Sequence, residues 1–146
     1  VSAAALLCLV IAVSDGDTLS VRCGARKPER VRVAGIDAPE MRQAYGRQSR
    51  EHLARLCFRQ RAEVYSLARD AYGRRVAHVR CAGQDVARAQ VSTGLAWVYT
   101  RNSAHTRELT ALQRRAQASR TGLWVQKRPT APWDYRRRHP QRRSPG

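Results

Sequence analysis

Two apolar, β-rich runs, Leu6–Val13 and Thr18–Cys23, flank the polar tetrapeptide Ser14-Asp15-Gly16-Asp17, the pattern of a hairpin in which glycine supplies the positive φ of a tight turn. A polar loop, Gly24–Glu29, leads to a third strand over Arg30–Ile36, where Val31 and Val33 alternate with Arg32 and Pro39 ends the ladder. Tyr45–Cys57 has helical spacing, with Leu53, Leu56 and Cys57 on one side. Strands at Ala62–Leu67 and Arg75–Cys81 then enclose a turn at Arg69–Arg74. Asp85 is a good N-cap for a short helix through Thr93, with Gly94 as its C′ residue. Leu95–Tyr99 is a short apolar run, and a longer helix over Ala104–Arg120 is stopped by Gly122. Five short strands with interspersed helices predict an α+β domain, an OB-fold five-stranded β-barrel with about three packed helices.

From Gln126 onward the pattern breaks, as Pro129, Pro132 and Pro140 interrupt a stretch dense in arginine. Residues 1–125 therefore read as one domain and 126–146 as a mobile basic Pro/Arg-rich tail, with Trp133 as its one candidate anchor. Val1–Val10 resembles the end of a signal peptide's apolar region, so Val1–Ala5 reads as a possible remnant. No run is long enough to span a membrane, and a monomer is expected.

Composition changes this picture through charge and cysteine. The chain of 146 residues carries 28 Lys+Arg against 11 Asp+Glu, a net charge of +17, and its only lysines are Lys27 and Lys127. A guanidinium-rich surface suits phosphate, because each planar fork can donate two bonds to one phosphate group. Biased codon usage with a sticky tail would give the same numbers. The four cysteines lack zinc-knuckle or thioredoxin spacing. Cys8 and Cys23 are equidistant from the hairpin turn and should face each other, which leaves Cys57 with Cys81. Those bridges favour a secreted or periplasmic protein; four buried thiols in a reducing compartment are the alternative.

Acids are scarce, so their clustering carries weight. Asp15 and Asp17 sit in one turn, Asp37 and Glu40 in another, with Arg32 and Arg74 close to turns of their own. A hard cation on oxygen ligands, a carboxylate base and two guanidinium forks would together serve phosphodiester hydrolysis. A plain turn and a plain strand exit would need the same acids.

The strings VSDGDTLSV, VRVAGIDAPE, RDAYGRRVAHV, GLAWVY and RTGLW occur in the order and approximate spacing of the staphylococcal nuclease family, and the resemblance runs from about Leu7 to Trp133. It implies a calcium-dependent nuclease that hydrolyses DNA, and RNA, with low sequence specificity and leaves 3′-phosphate ends. Asp17 and Asp37 resemble the carboxylate ligands of Ca2+, with the backbone carbonyl of Ala38 beside them and Asp15 acting through water. Glu40 resembles the general base, Arg32 and Arg74 the arginines that grip the scissile phosphate, and Tyr72 a tyrosine bonded to a substrate phosphate.

The chain departs from the family where Ala38 replaces a common threonine and where the loop from Glu40 to Tyr45 is short. Tyr99 is the one approximate counterpart of two base-stacking tyrosines. His78, His52, His105 and His139 lack ligand-like spacing, Trp97 and Trp124 read as core aromatics, and Ser14 and Thr18 as turn residues. Two other functions compete: a catalytically inactive nucleic-acid-binding module of the same fold, and a cationic toxin, whose tail would need an apolar face it lacks. The full set Asp17, Arg32, Asp37, Glu40 and Arg74 favours the enzyme.

Overall fold

The long hairpin expected at the start of the chain is the frame on which the other strands are hung. In the computed structural model, which describes residues 4–99 and 104–140, β1 (Leu6–Asp15) pairs antiparallel with β2 (Thr18–Arg22). Two irregularities, between Val10 and Ala12 and between Val13 and Asp15, each place an extra residue on β1. The first moves the inward face from Cys8 and Val10 to Val13, so the buried row survives the bend. The two shifts also bring the strand ends into the register that joins Cys8 to Cys23. The hairpin closes one residue later than the symmetric turn expected from sequence, with Asp15 opposite Thr18.

The strand order is β3-β2-β1-β5-β6-β7, where β3 is Glu29–Val33, β5 Arg61–Arg69, β6 Arg75–Cys81 and β7 Gln84–Asp85. A parallel pairing of β3 with β6 closes five of these strands into a barrel. Its interior is aliphatic: Val10, Leu19, Val21, Val31, Val33, Val64 and Val79 are buried. Across the closing seam Glu29 accepts from Arg75 Nε at 2.6 Å and pairs with Arg69 at 3.4 Å. The predicted third strand is split at Ala34-Gly35, where Gly35 has φ 85°. Its last part is a separate strand, β4 (Ile36–Asp37), which pairs with β8 (Trp97–Val98) in the predicted apolar run.

The helices pack around the barrel. These are α1 (Gly46–Cys57), α2 (Val86–Ser92) and α3 (Ala104–Ala118). Asp85 caps α2 as its spacing predicts, accepting from Arg88 N at 3.0 Å. Cys57, at the end of α1, is bonded to Cys81 of β6, the second predicted bridge. In the chain-entropy view each bridge contributes about 3 kcal/mol.

Gly16 has a role that its turn position hides. It does not adopt a left-handed conformation. A Cβ there would lie 1.8 Å from Ser49 Oγ and 2.8 Å from the Ala38 side chain, so glycine is required by the close approach of the hairpin to α1. Buried Gln90 of α2 holds this contact, donating to the carbonyls of Gly16 (2.7 Å) and Ser49 (3.0 Å). Ser49 in turn donates to the Leu95 carbonyl at 2.6 Å.

The segment beyond residue 126 differs from the expected mobile tail. A 3-10 turn at Gly122–Val125 is followed by a fourth helix, α4 (Pro132–Arg138). Proline at its first position, Asp134 in its first turn and three arginines in its last suit the helix dipole. Trp133 packs edge-on to Trp97 at 5.6 Å and lies against Tyr99 at 5.5 Å. Gln43 anchors the approach by donating to the Thr130 carbonyl at 2.6 Å. Composition registers the arginines but not the aromatic wall that receives Trp133. The last arginines, Arg142 and Arg143, and the first three residues of the proposed signal remnant lie outside the described residues.

Gln90→Leu keeps the bulk but strips the donors from two buried carbonyls, and urea unfolding should show a loss of about 2–3 kcal/mol; an unchanged midpoint would contradict the anchoring role. Glu29 titrates below the usual carboxylate range because Arg75 hydrogen-bonds its charged form. Its contribution is present above the unfolded-state pKa near 4.5 and is lost as pH falls through the lower folded value. The stability gap between the native protein and Glu29→Gln should therefore be widest at neutral pH and close in acid; a gap independent of pH would contradict this.

Candidate active site

The hairpin turn and the β4 exit meet at one end of the barrel. The Ala38 amide donates to Asp17 Oδ2 at 2.7 Å, which brings the carboxylate of one turn against the backbone of the other. Thr18 Oγ1 donates to Asp17 Oδ1 at 2.9 Å, and Asp17 N donates to Asp15 Oδ1 at 3.0 Å. Asp17 is 6% exposed and Asp37 1%, so two carboxylates share a poorly solvated corner. Burial first, and then the charge of Asp17, push the Asp15 carboxyl up to about 7. Burial also raises Asp37, against the pull of its arginine partners. Raised carboxyls mark negative charge that is incompletely offset.

Arg32 enters this corner from β3. Its Nη1 donates to the carbonyls of Val33 (3.0 Å) and Ile36 (2.7 Å), which fixes the guanidinium. From there it lies 3.5 Å from both Asp17 Oδ2 and Asp37 Oδ1. Arg74 is organised by a residue that the sequence reading did not single out. Asp70 accepts from the backbone amides of Tyr72 and Arg74, both at 2.9 Å, and from Arg74 Nε at 2.7 Å. The Arg74 guanidinium lies 5.4 Å from the centre of the Tyr72 ring, and Tyr72 itself is 81% exposed.

All eight site residues expected from sequence line a single open cleft of about 410 Å³: Asp15, Asp17, Arg32, Asp37, Ala38, Glu40, Tyr72 and Arg74. Two further residues line it, Arg30 and Arg136. Arg136 projects from α4 and forms a bidentate pair with Asp37, Nη1 to Oδ1 at 3.1 Å and Nη2 to Oδ2 at 2.7 Å. The same Nη1 donates to Glu40 Oε1 at 2.8 Å. The helix signals Pro132, Asp134 and Arg136–Arg138 were the clue that could have located it. His78 stays off the cleft, half-buried against His105 with ring centres 4.5 Å apart, as expected of a rim residue. Trp124 is buried and packs against Trp97 with ring centres 4.6 Å apart and planes tilted by 59°, in keeping with core roles.

Among the described residues no three His, Cys, Asp or Glu side chains stand together as a preformed metal cage. Asp37 turns both oxygens to Arg136, and Asp17 turns its own to Thr18 and the Ala38 amide. The donor chemistry nevertheless fits a hard cation, since Asp15, Asp17 and Asp37 offer only oxygen and two of them have raised pKa values. No helix among the described residues is long and apolar enough to cross a membrane. The two disulfides favour an oxidising compartment outside the cytoplasm.

Comparison with known proteins adds to this geometry. A protein described as an uncharacterized endonuclease of Haemophilus influenzae is 37% identical over 92 residues, which cover 63% of this chain and 52% of that protein. The micrococcal nuclease of Shigella flexneri is 39% identical over 99 residues, covering 62% and 56%. A probable staphylococcal-like nuclease of rice (Oryza sativa subsp. japonica), CAN1, is 38% identical over 111 residues, covering 76% and 33%. The chain thus spans about half the length of the two bacterial relatives. The family model described as staphylococcal nuclease homologue matches residues 30–126, which include Arg32, Asp37, Ala38, Glu40, Tyr72 and Arg74. On that match and the closed barrel that bears it, the chain belongs to the staphylococcal nuclease family.

Proposed function

We propose that this chain is a calcium-dependent nuclease, hydrolysing the phosphodiester bonds of DNA and also RNA with low sequence specificity. The observation that carries this reading is the convergence of Asp15, Asp17, Asp37 and Glu40 with Arg32 and Arg74 in one open cleft of a strongly basic protein. Family membership supports it, because staphylococcal nuclease relatives are generally metal-dependent and those named above are described as nucleases.

In this proposal Asp17, Asp37 and the Ala38 carbonyl hold the ion, with Asp15 reaching it through water. When bound, the ion offsets the negative charge that grows on the phosphate as water attacks. Glu40, at the mouth of the cleft, accepts the proton of the attacking water. Arg32, fixed by two backbone carbonyls, presents its outer edge to a non-bridging phosphate oxygen. Arg74, aimed by Asp70, takes another. Preset forks of this kind act most strongly on the transition state, where charge accumulates, and cost little reorganisation. Tyr72, almost fully exposed, is placed to bond a neighbouring phosphate of the chain. Expulsion of the 5′-oxygen leaves a 3′-phosphate. These groups address phosphate and not base edges, hence the low specificity. Export from the cytoplasm suits both the disulfides and a non-selective nuclease.

The test is single-turnover cleavage of single-stranded and duplex DNA, with calcium and with a calcium chelator, for the native protein, Arg32→Lys and Arg74→Lys. Chelation should abolish cleavage. Each lysine variant should lose about 100-fold or more in saturated rate with little change in DNA affinity, because lysine keeps the charge but not the fork. Arg88→Lys, whose parent pairs with Glu108 away from the cleft, serves as control. Cleavage that survives chelation would remove the metal, and binding without cleavage would leave the inactive-module reading in its place.

A further inference from the structure

Two guanidinium groups meet the buried carboxylate of Asp37, and they are held in very different ways. Arg32 is 15% exposed and pinned by the carbonyls of Val33 and Ile36, so it cannot leave without stranding those groups. Arg136 is 42% exposed, and its hydrogen-bond and ion-pair partners among the described residues are the acids Asp37 and Glu40. It projects from a helix of seven residues, three positions after Trp133, which packs against Trp97 and Tyr99. Its side chain can swing into solvent without opening the core.

We propose that Arg136 is a displaceable counter-cation: in the metal-free protein its fork neutralises Asp37 and Glu40, and a divalent cation must expel it to bind. This rests on the functional reading above, in which Asp37 is a metal ligand and Glu40 the base. A carboxylate as buried as Asp37 needs a positive partner, and its bidentate pair with Arg136 occupies both oxygens that a hard cation would use. Arg32 already stands 3.5 Å from Asp37 Oδ1, and a divalent ion on the same oxygens would be repelled by both guanidinium charges across a poorly solvated corner, so the less firmly held fork is the one to give way. Arg136 thereby ties the C-terminal helix to the state of the site. The helix is latched while the metal is absent, and the base Glu40 is released together with Asp37 when the metal arrives.

The experiment is calorimetric titration of the full chain with calcium chloride, without nucleic acid, for the native protein and three variants. Arg136→Gln preserves helix propensity but removes the charge and the fork. Arg138→Gln removes the same charge from the same helix at a residue with no ion pair among the described residues. Asp37→Asn removes the ligand itself. Arg136→Gln should bind calcium about tenfold more tightly than the native protein, and Arg138→Gln within about twofold of it, the difference expected when one charge-assisted pair no longer competes. Equal affinities for Arg136→Gln and Arg138→Gln, with binding lost in Asp37→Asn, would overturn the latch alone. Native affinity in Asp37→Asn would overturn the metal-site reading and the latch with it.

Discussion

Asp17 and Asp37 come from two different turns, and the single hydrogen bond from the Ala38 amide to Asp17 Oδ2 locks those turns together. Everything around this contact serves to keep two like charges in a place where water cannot solvate them well. Gly16 allows the hairpin to approach α1 because no Cβ fits there, and Gln90 fixes that approach through the Gly16 carbonyl. The β4–β8 pair positions Asp37 opposite Trp97. Arg32 offers a positive charge to both acids and the more exposed Arg136 one to Asp37. Acids gathered at the cost of burying charge are what support the proposed cation site.

The scaffold explains why the cluster can persist. Parallel pairing of β3 with β6 closes the barrel, so the strands that carry Asp17 and Arg32 have no free edge to fray on that side. One disulfide fastens the far end of the β1–β2 hairpin and the other fastens α1 to β6. The cleft therefore lies at the end of a constrained body, while the groups that would meet substrate, Tyr72 and Arg74, lie on an exposed turn stiffened by Asp70.

Much of this was legible before any coordinates, for identifiable reasons. The acids and arginines stood out because acids are rare in the chain, and the ordered motifs placed them on turns that the barrel brings together. The Cys8–Cys23 pairing followed from symmetry about the turn, yet it holds only because two bulges on β1 compensate for a hairpin that closes one residue later. Such bulges leave no mark in a period-two pattern of short apolar residues. Gly16 read as a turn glycine, whereas its constraint is a neighbour remote in sequence, Ser49. The fourth helix was missed because Pro/Arg-rich composition outweighed its short helix signals, and its tertiary partners Trp97, Tyr99, Asp37 and Glu40 leave no mark in the local sequence. Local chemistry was readable; long-range contacts that depend on the closed barrel were not.

The account stands on the claim that the acidic corner is a cation seat. Thermal unfolding of the native protein and of Asp17→Asn across a calcium titration tests it without reference to activity. An ion that binds the folded state alone raises the melting temperature progressively with its concentration. The account predicts such a rise for the native protein and its loss in Asp17→Asn. A native melting temperature indifferent to calcium, or an equal rise in both proteins, would contradict it.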